Sequence, residues 1–192
     1  MLETMLNELT PTNTRLVAVS KYRPNEAILE LYNQGQRHFG ENRVQELVLK
    51  QAQLPQDIHW HVIGHLQTNK VKYIAPFVHL IHSVDSVKVL LAIDKEAQKN
   101  QRVINILLQF KIAEEDTKYG FDLATAKKML ESEEYKSLEN IKVCGVMGMA
   151  TFTEDKEQVA AEFQRLKSIF DELKGTYFSE QDDFKEISMG MS

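Results

Sequence analysis

The chain has 192 residues, a formal net charge of -5 and an apolar fraction of 43%, which is enough for one domain with a sizeable core. A mildly acidic chain without basic runs is a poor candidate for binding nucleic acid, and no apolar run is long enough to cross a bilayer. The single cysteine, Cys144, excludes an internal disulfide framework. We predict one cytoplasmic, monomeric domain over residues 1–192 that binds neither nucleic acids nor membranes.

Short β-branched runs alternate along the chain with longer segments of helical periodicity. Several of the short runs are apolar on both faces, which is typical of a parallel sheet covered by helices. The predicted strands are residues 16–20, 38–41, 58–64, 80–84, 104–110, 143–149 and 184–189.

The segments between the strands carry helix signals. Pro24 stands at the start of one predicted helix. Asn42, with Gln45 three residues later, resembles a capping pair at the start of the next. A long amphipathic helix is predicted after Thr153 and ends at Gly175.

Seven strands separated by helices, without an antiparallel hairpin signal, predict a TIM-type (β/α)8 barrel rather than an open sheet. A complete barrel needs eight strands, and the sequence stops at Ser192, where a seventh strand would lead into its helix. We therefore predict a C-terminally truncated barrel that lacks the last helix and the closing strand. A natural open sheet of seven strands is the alternative.

Polar residues follow most of the predicted strands, and the carboxyl ends of parallel barrel strands meet at the rim where substrates bind. Lys21 ends the first strand. An amine held at such a rim and partly stripped of water can attack a carbonyl and form a Schiff base. A simply solvated lysine is the alternative. The other strand-end candidates are Glu41, Asn42, His65, Gln67, Asp85, Thr151 and Ser192.

A His-x-His pair lies on the third predicted strand, where His59 and His61 share one face. Such a pair binds zinc in metal-dependent hydrolases built on barrels, with His65 or Asp85 as further candidate ligands. Because Trp60 alternates onto the other face and His59 comes early in its strand, we interpret the pair as lying among the surrounding helices. We therefore predict no metal site, and a metal-dependent hydrolase using His59 and His61 is the alternative function.

Five blocks of the sequence resemble the pyridoxal phosphate homeostasis proteins, a family related to the barrel domain of bacterial alanine racemase. They read VAVSK at 17–21, FGEN at 39–42, WHVIGHLQTNK at 60–70, KYG at 118–120 and SMGMS at 188–192. The blocks occur in the family's order across nearly the whole chain, and five in order are highly specific. The resemblance implies a (β/α)8 barrel of the alanine racemase N-terminal kind.

The resemblance also implies a cofactor site. Lys21 would hold pyridoxal 5′-phosphate (PLP) as a Schiff base, Asn42 would lie beside the cofactor ring, Met189 would border the cofactor, and Ser192 would help to hold the phosphate. In the family, an arginine facing the pyridine nitrogen and a glycine–threonine pair that binds phosphate follow this segment. Neither lies within the 192 residues, so we expect weakened cofactor binding by this chain. The roles of His65 and Gln67 are not assigned.

The implied function is intracellular PLP homeostasis: carrying the cofactor, and handing it to PLP-dependent apoenzymes, without turnover. An arginine at the ring nitrogen keeps that nitrogen neutral and so weakens carbanion stabilisation. Racemisation also needs a second acid or base, which alanine racemase takes from an additional domain. We therefore predict a carrier with no catalytic residues.

Overall fold

Seven parallel strands form a single sheet in the computed structural model, which describes residues 2–113 and 119–189. Each strand pairs with the next one in the chain, so the spatial order is the sequence order. The strands are β1 (Ala18–Val19), β2 (His38–Glu41), β3 (His59–Val62), β4 (Leu80–Val84), β5 (Ile104–Phe110), β6 (Ile141–Gly148) and β7 (Glu186–Ser188).

Helices connect the successive strands, as right-handed βαβ crossovers between parallel strands require. None of those in the described residues is long and apolar enough to cross a membrane. They are α1 (Leu2–Leu9), α2 (Asn25–Asn33), α3 (Val44–Gln53), α4 (Val71–Ile74), α5 (Val87–Lys99), α6 (Leu123–Glu131), α7 (Glu133–Lys136) and α8 (Lys156–Thr176), with 3₁₀ turns at Thr10–Thr12 and Thr68–Lys70.

All seven predicted strands are confirmed, as is the parallel, helix-covered barrel arrangement. The edge strands β1 and β7 and the inner strand β3 are shorter than predicted. Each edge strand has a hydrogen-bonded neighbour on one side only. Among residues 2–113 and 119–189, no strand lies between these two edges.

The sheet has a helix-covered outer side and an inner side. On the outer side one large apolar cluster joins alternate strand residues to the helices; it includes Phe39, Trp60, Ile81, Ile106, Val143, Leu47, Leu90 and Leu166. On the inner side a smaller cluster comprises Leu80, Leu107, Cys144 and Met147. Alternation along each strand therefore decides whether a residue faces the helices or the barrel interior.

The sheet curls so that its edges approach each other. Arg15, which precedes β1, lies 3.8 Å (Nη1 to Oε1) from Glu186 of β7. Both residues line an interior cavity of about 590 Å³, whose wall includes Val19, His61, Leu107 and Met147. The inner side of the sheet therefore lines an open cavity, and the carboxyl ends of the strands form one rim of that cavity.

Gly145 allows β7 to pair with β6. Its φ of +154° lies in a region that L side chains rarely adopt, and a Cβ added there would come within 1.8 Å of the carbonyl oxygen of Glu186. The register between β5 and β6 also shifts just before this residue pairs with Leu107. No other residue type fits this close approach.

Two predicted helix signals are wrong. Asn42 does not cap α3: Arg43 is the N-cap residue, and no side-chain hydrogen bond caps this helix. Gly175 does not end the long helix but lies inside α8, whose C-cap is Tyr177. The space around Gly175 is open, with nothing within 4 Å of an added Cβ, so the helix continues past it without steric conflict.

Candidate functional site

Lys21 and Asn42 lie at the carboxyl ends of the neighbouring strands β1 and β2. Val19 pairs with Gly40, and the backbone N–H of Ser20 donates to the Gly40 carbonyl at 3.0 Å. Val19 lines the interior cavity, and Lys21 follows it by two residues, just beyond the end of β1. Lys21 is half-buried. The fold therefore brings the two predicted site residues to one end of the barrel.

A buried lysine on the outer side of the sheet ties these two strand ends together. Nζ of Lys50 donates to the carbonyl of Ser20 at 2.7 Å and to Oε1 of Glu41 at 2.7 Å. The hydroxyl of Ser20 donates to the same carboxylate oxygen at 2.6 Å. Ser20 directly precedes Lys21, and Glu41 directly precedes Asn42, so one ammonium group fixes the backbone positions on which both side chains depend.

The network continues to Glu46 on α3. Its Oε1 accepts from Lys50 at 2.6 Å and from the backbone N–H of Tyr22 at 2.8 Å. Tyr22, the residue after Lys21, has a φ of 61°, a left-handed conformation that costs energy in a residue with a side chain. Lys21 is therefore held on both sides by residues bonded to this network.

Burial and charge act in opposite directions on the two carboxylates. Burial raises the pKa of Glu41 above its ordinary value, although Lys50 and Ser20 both oppose this by hydrogen bonding. Burial also acts to raise the pKa of Glu46, but hydrogen bonds from Lys50 and the Tyr22 backbone hold this pKa below its ordinary value. The fully buried Glu41 thus depends on Lys50 for its charge.

Asn42 carries an unused hydrogen-bond acceptor. Its Oδ1 is buried and has no hydrogen-bond partner among the residues that the structure describes. Gly64, after β3, packs against this residue so closely that an added Cβ would lie 2.7 Å from the Asn42 carbonyl oxygen. A buried acceptor without a partner is costly, and it is typical of a position where a ligand supplies the donor.

Three loops meet beside this end of the barrel. The His65 ring stacks on Tyr119 with ring centroids 4.2 Å apart, and its Nδ1 lies 2.9 Å from Oδ2 of Asp85. Gln67 is exposed and accepts a backbone hydrogen bond from Lys70 at 2.9 Å. The residues after β3, β4 and β5 thus form a polar rim. Tyr119, which is part of this rim, belongs to the KYG block of the sequence.

The remaining predicted site residues lie after β7. Met189 is 49% exposed and lines the interior cavity together with Ser188. Ser192 lies outside the described residues. Lys21 and Asn42 do not line this cavity themselves, but Val19 does, two residues before Lys21.

The interpretation that His59 and His61 lie among the helices is wrong. Trp60 is the residue that packs in the outer apolar cluster, whereas His61 is buried and lines the interior cavity. Alternation correctly puts both histidines on one face, but that face is the barrel interior. Neither His65 nor Asp85, the suggested further ligands, joins them: these two residues pair with each other at the rim.

Comparisons with known proteins show the family of this chain. The family model described as "Alanine racemase, N-terminal domain" matches residues 2–192. The pyridoxal phosphate homeostasis protein of Aquifex aeolicus is 40% identical over 179 residues, which are 93% of this chain and 76% of the relative. That of Schizosaccharomyces pombe is 33% identical over 182 residues, or 94% of this chain and 75% of the relative.

The chain belongs to the pyridoxal phosphate homeostasis proteins.

Solved structures of this family have the same fold. PipY of Synechococcus elongatus, solved without PLP, has a TM-score of 0.90 and 36% identity, and the match covers 100% of this chain and 87% of PipY. PipY solved with PLP bound has a TM-score of 0.85 and 35% identity, covering 98% and 87%. An alanine racemase of Clostridium difficile, at 16% identity and a TM-score of 0.71, shares the fold. The predicted alanine racemase-like barrel is therefore confirmed.

Sequence reasoning missed the network behind Lys21. Lys50 lies three residues after Leu47, and both are buried on the sheet-facing side of α3. A lysine on the apolar face of a helix signals a buried ion pair. Its partner, Glu41, lies two residues after the buried Phe39 and therefore on the same, helix-facing side of β2. An acidic residue on that buried side of a strand is the second signal of a buried ion pair.

Proposed function

We propose that this chain binds pyridoxal 5′-phosphate and acts in its intracellular homeostasis, with Lys21 as the residue that holds the cofactor covalently. The observation that carries the proposal is the position of Lys21 beside Asn42, whose buried Oδ1 has no partner among the described residues. Support comes from the relatives named for PLP homeostasis and from the solved PipY with PLP bound, at 35% identity.

The residues at this end of the barrel fit such a cofactor. When bound, PLP supplies an aldehyde that a lysine amine can condense with, releasing water. Asn42 offers its amide to polar groups of the ring, and the lack of a Cβ at Gly64 leaves Asn42 in place. The two neighbours of Lys21 in the chain, Ser20 and Tyr22, are hydrogen-bonded to Glu41, Glu46 and Lys50. These bonds fix the backbone from which the Lys21 side chain extends.

We assign Met189 and Ser192 to the border of the cofactor and to its phosphate, respectively. Met189 supports this role as an exposed apolar side chain at the end of β7, on the wall of the interior cavity. Ser192 lies outside the described residues, so its assignment rests on the family resemblance in the SMGMS block.

We further propose that the chain carries the cofactor without turning over a substrate. Catalysis would need an acid or base placed opposite Lys21, and the neighbouring carboxylates Glu41 and Glu46 are both bonded to Lys50 on the outer side of the sheet. A monomeric cytoplasmic carrier would protect the aldehyde from other amines and deliver it to PLP-dependent apoenzymes.

Visible absorbance on adding PLP tests the proposal. We expect a band displaced from that of free PLP in the wild type and in Lys72→Ala, which removes an exposed lysine of α4. Lys21→Ala should leave only the spectrum of the free cofactor. Identical spectra for the wild type and Lys21→Ala would reject Lys21 as the attachment point.

A further inference from the structure

Five of the six histidines of the chain gather at one place in the barrel interior. Two of them, His38 and His59, are the first residues of β2 and β3, and His79 directly precedes β4. The other two, His61 and His82, lie further along β3 and β4 and are buried. The amino-terminal starts of three adjacent strands therefore present imidazoles to one another, at the opposite end of the barrel from the strand ends that lead to Lys21 and Asn42.

The imidazoles contact one another through their ring nitrogens. Nε2 of His61 lies 2.9 Å from Nδ1 of His38, and Nδ1 of His61 lies 2.8 Å from Nε2 of His82. Nδ1 of His59 lies 3.1 Å from Nδ1 of His79. Each contact needs one N–H and one lone pair, so each pair joins one donor nitrogen to one acceptor nitrogen.

The spacing of three of these rings suits a metal ion. One ring nitrogen from each of His38, His61 and His79 lies within 4.8 Å of the other two. Nitrogens bound tetrahedrally to zinc are separated by about 3.3 Å, given bond lengths of about 2.0–2.1 Å. The required separation lies between the His38–His61 contact, 2.9 Å, and the 4.8 Å limit. Side-chain movements that change the nitrogen–nitrogen distances by up to about 1.5 Å would close the site.

Further residues hold the rings in orientation. His61 contacts His82, and Nδ1 of His82 lies 2.9 Å from the hydroxyl of Ser188 on β7. His79 contacts His59 through Nδ1. Histidine ligands of metals generally donate their second N–H in this way, which fixes the tautomer and the plane of the ring.

We propose that His38, His61 and His79 form a binding site for a divalent transition-metal ion of the zinc type, separate from the cofactor site. Imidazole nitrogens suit zinc, nickel and copper, whereas magnesium and calcium require oxygen ligands. The ion links β2, β3 and the start of β4, so it stabilises the barrel at the amino-terminal end of these strands, away from the end where barrel proteins bind substrates. A second cavity of about 240 Å³, lined by His79 and Arg15, adjoins this end.

Binding requires a tautomer change rather than proton release. His61 binds through Nε2, which leaves its Nδ1 in contact with His82. The ion takes the place of the proton between Nδ1 of His38 and Nε2 of His61. If His38 had donated that proton, it moves to Nε2 of His38; if His61 had donated it, it moves to Nδ1 of His61 and the hydrogen bond to His82 reverses its direction. All three imidazoles stay neutral before and after binding.

Metal titration of the untagged, chelator-stripped full chain tests the proposal. With Zn²⁺ as the probe, we expect one equivalent to bind and to raise the thermal unfolding temperature. With Co²⁺, we expect visible absorption bands of a tetrahedral or five-coordinate nitrogen site. His38→Gln and His79→Gln should each weaken Zn²⁺ binding by roughly tenfold or more, whereas His65→Gln, which changes the exposed sixth histidine at the opposite rim, should bind like the wild type.

Two results would overturn the proposal. One is the lack of stoichiometric Zn²⁺ binding by the wild type at micromolar concentrations. The other is an equal loss of binding in His65→Gln and His79→Gln. Circular dichroism of each metal-free variant establishes that it is folded, and the half-buried His38 and His79 are chosen for substitution in preference to the buried His61. Because the site lies at the other end from Lys21, Zn²⁺ should leave the PLP spectrum unchanged, so the two proposals succeed or fail independently.

Discussion

Nζ of Lys50 lies 2.7 Å from Oε1 of Glu41 in a buried ion pair on the outer side of the sheet. The same ammonium group binds the carbonyl of Ser20 at 2.7 Å. One helix residue therefore joins the carboxyl ends of β1 and β2, immediately behind the two side chains proposed to receive the cofactor. The position of Lys21 relative to Asn42 depends on this contact as much as on the sheet itself.

Removing Lys50 is expected to destabilise the protein strongly. Lys50→Met leaves the Glu41 carboxylate buried without its partner, which costs about 3–5 kcal/mol in the free energy of unfolding. Lys99→Met breaks an ion pair whose lysine side chain is 56% exposed, and should cost less than about 1 kcal/mol. Urea denaturation of both variants measures the difference. Equal destabilisation would show that the buried pair has no special role, and the double variant Glu41→Gln/Lys50→Met should recover much of the loss.

A methyl group at position 64 is expected to weaken cofactor binding. In Gly64→Ala the new Cβ would meet the backbone and Cβ of Asn42 at 2.7–2.9 Å, so Asn42 must shift. The loss of one hydrogen bond to the ligand corresponds to about 0.5–1.5 kcal/mol, or a several-fold rise in the dissociation constant for PLP. Gly175→Ala, in open space on α8, is the control. Unchanged PLP affinity in Gly64→Ala would remove Asn42 from the site.

Two glycine substitutions are expected to change stability in opposite directions. Gly145→Ala forces a left-handed backbone that costs about 1–3 kcal/mol, and in addition its Cβ would collide with Glu186 at 1.8 Å. Gly175→Ala, which replaces a helical glycine without any contact, should stabilise the protein by about 0.5–1 kcal/mol. Thermal unfolding of the two variants gives the comparison, and a stable Gly145→Ala protein would disprove the pairing of β6 with β7 at this point.

The histidine cluster is expected to make the metal-free protein sensitive to acid. The pKa values of His38, His79 and His82 are about 4 in the folded chain, against an ordinary value of 6.5. Between these values the unfolded chain binds more protons, so the free energy of unfolding falls as the pH drops through this window. Each histidine contributes up to about 1.4 kcal/mol per pH unit.

Urea midpoints measured with a chelator across this pH range check the expectation. About one pH unit above 6.5, the ordinary histidine pKa, both states carry almost entirely neutral imidazoles, and this contribution to stability stays constant. The variant His79→Gln removes one of the titrating groups and should show a shallower dependence. A midpoint that does not change between pH 6.5 and about pH 4 would contradict the buried, neutral state of the cluster.

The order of the strands could be predicted from the sequence because short strand-like runs alternate with longer segments of helical periodicity. For β2, β4 and β5 the predicted and observed bounds agree to the residue. Which of a strand's two faces points into the barrel interior was harder to predict. Both faces of a covered parallel sheet are buried, so alternation shows that His59 and His61 share a face but does not show that this face is the interior.

Lys21 and Asn42 could be found from their position at strand ends, whereas the contacts that hold them could not. The Asn42 side chain resembles a helix cap in sequence, but Gly64 comes from another strand end to pack against it, and no local pattern encodes that contact. The Lys50–Glu41 pair likewise joins helix α3 to strand β2, and its two residues are nine positions apart in the sequence. Such contacts follow from the tertiary fold rather than from the sequence pattern.

Reduction of the PLP-treated chain with borohydride, followed by peptide mapping by mass spectrometry, tests the central claim most directly. Borohydride fixes a lysine-bound cofactor as a stable phosphopyridoxyl group. We expect the peptide containing Lys21 to carry this group at sub-stoichiometric PLP and the exposed lysines to stay unmodified. A label distributed over surface lysines, or concentrated on a lysine other than Lys21, would contradict it.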